Sequence, residues 1–384
     1  MDISTICVHG CRKKYDTTGA VSVPIFASST FAHPGVGQST GFDYSRSQNP
    51  TKEHLEHTIT ALEGGTDTIA FSSGMAAVSA LMELFSPGDH IVASYDLYGG
   101  TFRLFSHISE KNGIKFSYAA STEEISAKIT PNTKAVFIET PTNPMMNVVD
   151  IAAAAKVTQS KNLLLIVDNT FLTPIFQRPL LLGANIVLHS GTKYLGGHND
   201  SLSGMLTVKD DTAPCDYVLS ERLRFIAKTT GACLSPFDSF LITRGLKTLA
   251  IRMERHNKNA LEIADWLVKQ NKITKVYYIG LQDHPDYAVS CRQASGFGGM
   301  ISFSVDNEQT AFSILENVKL IKYAESLGGT ESLITYPLLQ THADLPKEER
   351  EARGINACLL RLSVGLEDAA DITADLKQAI ERVK

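Results

Sequence analysis

Ala184-Asn-Ile-Val-Leu-His-Ser-Gly-Thr-Lys-Tyr-Leu-Gly-Gly-His198 reads as a short apolar strand, Ile186 to Leu188, running into Ser190-Gly-Thr-Lys193. A lysine just past a buried strand is unusual, because taking an ammonium out of water is costly. Two readings fit. In one, Lys193 is a surface lysine in a polar turn. In the other, burial lowers its pKa and frees its lone pair for a Schiff base with a carbonyl, while the hydroxyls of Ser190 and Thr192 hold a phosphate. A phosphate, a carbonyl and a lysine in one place point to pyridoxal 5'-phosphate (PLP).

Outward from this stretch, short apolar runs alternate with helical ones. Candidate strands are Thr68–Phe71, Ile91–Ser94, Lys115–Tyr118, Ala135–Ile138, Leu163–Val167, Ile186–Leu188 and Met205–Val208. Their β-branched content and spacing predict a mostly parallel seven-stranded sheet with crossover helices, an α/β fold. The last two strands are too close for a helical crossover, so one strand is expected to run antiparallel. Ligands collect beyond the strand ends of such sheets, so the loops there carry the function.

Ser72-Ser-Gly-Met75 opens a helix expected over Met75–Phe85, and a helix start of this kind suits a phosphate. An ordinary N-cap at Ser73 fits equally well. Asp96-Leu-Tyr-Gly-Gly-Thr-Phe-Arg103 offers Tyr98 as a ring to stack on a cofactor, or simply an exposed tyrosine in a turn. Glu139-Thr-Pro-Thr-Asn-Pro144 is a loop locked by two prolines, with Asn143 as its polar reporter. Asp168 ends an apolar run, where an unpaired carboxylate is costly. It is either a helix cap, a metal ligand or the partner of a cation such as a pyridinium N–H. Lys193 follows one strand later, so the two can face one site.

Residues 1 to about 60 show no sustained period and read as an extended arm with turns. Tyr44 and Arg46, two apart on an extended segment, share a face and form either an anion clamp or a solvated pair. A helix is expected from Phe237 to about Gln270, linking two lobes, with Arg244, Lys247, Arg252 and Arg255 on its solvated or ion-paired face. The remainder reads as a smaller α+β lobe with strands at Val276–Tyr278, Met300–Val305, Leu320–Tyr323 and Leu359–Val364, and a last helix over 369–383. Arg361 lies inside an apolar strand and needs an anion, from a structural carboxylate or from a substrate. Gly296-Phe-Gly-Gly299 precedes a strand, so it is not a dinucleotide fingerprint.

The 384 residues are enough for two lobes. A hydrophobic fraction of 43% and a formal net charge of −5 describe an ordinary globular enzyme and argue against nucleic-acid binding. No run reaches transmembrane length and no signal pattern opens the chain. The six cysteines lack CxxC spacing. Cys7, His9 and Cys11 have no second ligand pair, so no metal is expected, and reduced thiols suit a cytoplasmic enzyme.

Together, Tyr44-Ser-Arg-x-x-Asn-Pro-Thr51, Ser72-Ser-Gly-Met75, Asp96-Leu-Tyr-Gly-Gly-Thr, Glu139-Thr-Pro-Thr-Asn-Pro, Val167-Asp-Asn-Thr, Ser190-Gly-Thr-Lys-Tyr, Ala324-Glu-Ser-Leu-Gly-Gly and Arg361-Leu-Ser-Val-Gly resemble, in order and over essentially the whole chain, the PLP-dependent enzymes of Cys/Met metabolism. The resemblance implies a fold-type I PLP transferase with an arm (1–60), a PLP-binding large domain (61–245) and a small C-terminal domain (246–384). It implies that Lys193 holds PLP covalently and moves protons. Asp168 would pair with the ring nitrogen and Tyr98 would stack on the ring and aid proton transfer. Gly74, Met75, Ser190 and Thr192 would bind the phosphate, joined by Tyr44 and Arg46 from a neighbouring subunit. The assembly would be a homotetramer of such dimers. Asn143, Ser326 and Arg361 would address the ring oxygen and the substrate carboxylate.

Within the family, methionine γ-lyases usually carry Cys where Gly100 stands and lack Arg103, and Arg103 is taken as a substrate contact. The β-lyases and methionine γ-lyases usually have an apolar residue where Glu325 stands, whereas the γ-synthases and γ-lyases of cystathionine have Glu. This favours formation of cystathionine from O-acylhomoserine and cysteine, with sulfide as a second nucleophile. The alternatives are a cystathionine γ- or β-lyase, a methionine γ-lyase, or a non-catalytic PLP-fold binding protein. His198-Asn-Asp-Ser201 departs from the family's commoner His-Ser-Asp-Val.

Overall fold

Strands buried on both faces need covering layers, and the chain supplies them. The computed structural model describes residues 1–10, 18–210, 213–343 and 345–382. Its large sheet consists of β1 (Asp67–Phe71), β2 (His90–Ser94), β3 (Lys115–Ala119), β4 (Thr133–Glu139), β5 (Leu164–Asp168), β6 (Ile186–Ser190) and β7 (Gly204–Val208). They lie in the order β1-β7-β6-β5-β4-β2-β3. β7 runs antiparallel to β1 and β6, and the other pairs are parallel. The short link from Ser190 to Gly204 leaves no room for a parallel crossover.

Side chains alternate between the faces of each strand. Ile91, Phe137, Ile166 and Leu188 pack with Val78, Leu81 and Leu223 on one face. Val92, Val136, Leu165 and Val187 pack with Ile151 and Ala154 on the other. The alternation continues to the strand ends. Glu139 follows Phe137 by two, Asp168 follows Ile166, and Ser190 follows Leu188. All three polar side chains therefore leave the sheet on the same face and at the same edge. Gly204 starts β7 at that edge, opposite Phe71 and Ser190.

A second sheet runs β10-β11-β12-β9-β8, with β8 (Ile273–Tyr277), β9 (Met300–Val305), β10 (Lys322–Tyr323), β11 (Leu333–Thr335) and β12 (Leu359–Ser363). Ile263, Leu267, Phe303, Leu360, Leu362, Ile372 and Leu376 form its core with flanking helices. Leu360 and Leu362 point into that core, so Arg361 between them points the other way, toward the large domain. Among the described residues, no helix is long and apolar enough to cross a membrane.

Several expectations change. The first 60 residues contain the helix Ile3–His9 and most of the helix Pro50–Glu63. Asn49 caps the second by accepting the Thr51 N–H, Pro50 opens it, and Gly64 ends it at φ +75°. Leu55, Ile59 and Leu62 recur at helical spacing and are fully buried. The expected helix from Phe237 to Gln270 is two helices, Pro236–Leu246 and Leu249–Leu267. At the break the Gly245 carbonyl, which a continuous helix would offer to Leu249, accepts from the Thr248 N–H, the Thr248 hydroxyl and Arg252 instead. Arg252, expected on the solvated face, is buried and also donates to the Tyr194 carbonyl at 2.7 Å. β11 was not expected, and the strand expected over Leu320–Tyr323 shortens to β10. Cys7 is buried, which pushes its thiol up to about 11, and Cys11 lies outside the described residues.

A Cβ on Gly204 would run into the Ser73 carbonyl oxygen. Gly204→Ala should therefore cost about 1–3 kcal/mol through overpacking. A lower urea midpoint at unchanged slope would report it; an unchanged midpoint would mean that the contact relaxes freely.

Candidate active site

The polar edge of the large sheet faces β12 across a cavity of about 230 Å³. Its wall brings together Gly74, Met75, Tyr98, Asn143, Asp168, Ser190, Thr192, Lys193, Glu325, Ser326 and Arg361. These come from strand ends, a helix start and loops far apart in sequence.

At one end begins the helix Gly74–Met82. Ser73 caps it by accepting the Ala76 N–H, and the N–H groups of its first turn lack partners within the helix. A Cβ on Gly74 would lie 3.0 Å from the Ser190 Cβ, so glycine keeps the helix start close to β6. The Thr192 hydroxyl accepts the Ser203 N–H at 3.0 Å. Partial positive charge and hydroxyls converge there, a setting for an anion.

On the wall, Asp168 Oδ1 accepts from the Thr170 N–H at 3.0 Å and the Thr170 hydroxyl at 2.5 Å. That hydroxyl accepts the Ser190 N–H at 2.9 Å, tying β5 to β6. Burial raises the pKa of Asp168, and the two Thr170 bonds and His189 oppose the rise. A ring N–H⁺ would relieve the remaining cost.

Lys193 Nζ donates to Ser326 Oγ at 2.9 Å. Burial, then the Arg361 charge, lowers its pKa to about 8, against an opposing effect of Glu325. Arg361 is only 2% exposed. Its Nη1 donates to Asn143 Oδ1 at 2.9 Å, and its Nη2 to the Ser326 carbonyl at 3.0 Å and Thr335 Oγ1 at 3.1 Å. Its Nε has no hydrogen-bond partner, and no carboxylate forms an ion pair with it among the described residues. Burial brings its pKa down to about 10, still charged at neutral pH. A cation held by neutral acceptors is a receptor for a carboxylate. Ser326, beside it, sits at φ +100°, a strained conformation that the surrounding bonds sustain.

Three expected contacts lie elsewhere. Arg103 is exposed in the last turn of the helix Gly99–Leu104, outside the cavity lining. Tyr44 and Arg46 line a separate groove with Lys52 and Arg224, the Arg46 guanidinium 5.5 Å from the Tyr44 ring centre. Asn199, in the departure after the lysine, adopts φ +54° and donates to Glu331 Oε2 at 3.0 Å. Sequence reasoning gave no role to Glu139, which also lines the cavity. It ends an apolar run as Asp168 does, and that signal was present. Thr335 and the buried Arg252 carried no such signal.

The model of the family "Cys/Met metabolism PLP-dependent enzyme" matches residues 4–381. The chain belongs to this family. It is 49% identical to a cystathionine gamma-synthase from Haemophilus influenzae, over 100% of this chain and 98% of the relative. It is 46% identical to a cystathionine beta-lyase from Lactococcus lactis subsp. cremoris, over 99% of each. The crystal structure of cystathionine gamma-lyase from Lactobacillus plantarum complexed with L-serine superposes with a TM-score of 0.96 at 42% identity, covering 100% of this chain and 99% of that one. The chain is a fold-type I, PLP-dependent trans-sulfuration enzyme. The residues fit the cofactor: a glycine-opened helix for phosphate, a buried carboxylate for the ring nitrogen and a buried amine for the aldehyde.

With its pKa near 8, Lys193 is mostly charged at pH 7 and mostly neutral at pH 9. Its competitive labelling by acetic anhydride in the apoenzyme, read by mass spectrometry, should rise about tenfold between those values and then level off. A rate still climbing past pH 10, like that of a surface lysine, would contradict the burial argument.

Proposed function

We propose that the enzyme performs γ-replacement, joining O-acylhomoserine and cysteine into cystathionine with release of the carboxylic acid, and accepts sulfide in place of cysteine. The observation that carries this reading is Glu325. It is exposed, and it lines both the cavity and the outer groove with Asn199, Lys322 and Glu331. A carboxylate at this mouth suits the amine of an incoming cysteine, or the distal amine of cystathionine, which a substrate with a single amino group would not need.

PLP, when bound, supplies the electron sink for the substrate carbanion. The protein supplies the rest. Arg361, Asn143 and Ser326 grip the α-carboxylate. The Lys193 amine, kept partly neutral by burial, takes the proton from Cα and shuttles protons to the later steps. Asp168, supported by Thr170, keeps the ring nitrogen protonated. The Tyr98 ring stacks on the cofactor, and its hydroxyl relays a proton to the leaving group or from the attacking thiol. Gly74, Met75, Ser190 and Thr192 hold the phosphate. Arg103, outside the cavity lining, has no part in this account.

Tyr44 and Arg46 lie in a groove away from the cavity, consistent with serving the phosphate of a neighbouring copy. On this reading the working unit is a dimer with shared sites, paired into a homotetramer in the cytoplasm. A second reading, cleavage of cystathionine, draws support from relatives of comparable identity that carry lyase names.

Product analysis separates the readings. O-acetyl- or O-succinylhomoserine with cysteine should give cystathionine faster than cystathionine is cleaved. Predominant cysteine from cystathionine would mean γ-cleavage, and predominant homocysteine β-cleavage. Glu325→Val should raise KM for cysteine about tenfold, the cost of losing one charge-assisted contact; an unchanged KM would remove the reason for favouring cysteine addition.

Subunit sharing has its own test. Lys193→Ala and Arg46→Ala chains, each poorly active, should regain about a quarter of the wild-type rate after refolding as an equal mixture, because half the dimers are hybrids with one intact site. If Arg46 served its own subunit, every hybrid site would carry one lesion and mixing would restore nothing.

A further inference from the structure

Glu139 is the one buried acid of the cavity without an assigned role. It ends β4 in register with Asp168 at the end of β5, and both side chains leave the same face of the sheet. Its Oε2 accepts the backbone N–H of Tyr98 at 2.8 Å, and its Oε1 accepts the backbone N–H of Asn143 at 3.1 Å. Its own N–H donates to Ser94 Oγ at 3.1 Å. The carboxylate thus joins two loops, the one with the stacking tyrosine and the one with the asparagine that supports Arg361, while the residue's backbone N–H ties it to the end of β2. Burial first, and then the neighbouring Asp168, holds its pKa well above the usual carboxylate range, against the two N–H bonds. A second carboxylate beside Asp168 is a cost that a merely structural acceptor would not require.

We propose that Glu139 is a positioning residue of the reaction centre, fixing through its two oxygens the spacing between Tyr98, which covers the cofactor ring, and the Asn143–Arg361 pair, which anchors the substrate carboxylate. The proposal rests on the reading of the cavity as a PLP site, but not on which amino-acid reaction occurs there. Two parallel acceptors are needed, because Tyr98 and Asn143 belong to loops that touch the carboxylate from different sides. An amide at this position would keep one acceptor and turn a donor toward a backbone N–H. An aspartate would keep both oxygens but withdraw them by one methylene.

The test compares holoenzymes of Glu139→Gln, Glu139→Asp and a control, Asp375→Asn. Asp375 also accepts several backbone N–H groups, from Lys319, Leu320 and Ile321, but far from the cavity in the small domain. Three quantities are read: the visible circular dichroism of bound PLP, which reports ring orientation, the KM for the amino-acid substrate that the wild type prefers, and the melting temperature. Glu139→Gln should retain PLP, lose about half or more of the dichroic signal and raise KM about tenfold or more. Glu139→Asp should fall between it and the wild type. Asp375→Asn should lower the melting temperature and leave the other two readings within about twofold. The proposal is overturned by a wild-type signal and KM in Glu139→Gln, or in Glu139→Asp should the glutamine variant not fold. The same pattern in Asp375→Asn would also overturn it. The dichroic signal needs no turnover, so failure of the γ-replacement assay leaves this test standing.

Discussion

Arg361 is a cation sealed between two domains and, among the described residues, no carboxylate makes an ion pair with it. An unpaired buried guanidinium is destabilising by several kcal/mol, and three hydrogen bonds to neutral acceptors offset only part of that. The acceptors come from separate elements: Asn143 after β4, Ser326 after β10, and Thr335 on β11. Each must hold its place for the charge to be tolerated, so one unfavourable residue ties the rim of the large domain to the small one. The same charge acts on Lys193, where it adds to burial in lowering the pKa of the amine. A single buried cation therefore both presents a receptor for an anion and shifts the neighbouring Lys193 amine toward its neutral form.

The large domain carries the opposite excess. Two carboxylates, Glu139 and Asp168, stand side by side at the ends of adjacent strands, each with its pKa raised by burial. The fold handles them unequally. Asp168 receives a hydroxyl and an N–H from Thr170, which favour its ionised form. Glu139 receives two backbone N–H groups but also bears the field of Asp168. Two like groups in one low-dielectric site drive their titrations apart, which leaves one carboxylate free to answer a cationic ring. The arrangement follows from strand periodicity alone, since residues two apart share a face.

The charges that make the site were legible because each breaks an apolar pattern. Lys193 follows a buried strand, Asp168 ends one, and Arg361 interrupts one. The seven strands of the large sheet and an antiparallel strand in the last pair followed from segment spacing, whereas their order in the sheet did not. What was not legible depended on partners distant in sequence. Arg252 looked like one of several cations on a helix face, and its burial depends on the carbonyls it reaches at Tyr194 and Gly245. Gly245, at the helix break, packs against the same turn, where a Cβ would meet the Gly196 carbonyl oxygen. The helix Pro50–Glu63 did carry its cap, its proline and its apolar spacing, yet its polar composition hid them. Glu139 satisfied the criterion that singled out Asp168 and was masked by the prolines that follow it.

The floor and the mouth of the cavity differ in how strongly they are determined. Gly328, at φ +76°, would bring a Cβ within 2.7 Å of the Tyr194 nitrogen. The loop bearing Glu325 and Ser326 therefore lies directly on the turn that bears Lys193. At the outer end of that seam, Asn199 donates to Glu331 from a left-handed conformation that asparagine tolerates better than most residues. The departure after the lysine thus makes a contact in the groove at the mouth. The floor, by contrast, is fixed by close backbone packing between the loop bearing Ser326 and the turn bearing Lys193. At the mouth Glu325 is exposed to solvent, where a change of about 1–3 kcal/mol is enough to alter a substrate preference. Relatives of this chain carry synthase and lyase names at nearly equal identity, so overall similarity does not separate the two activities.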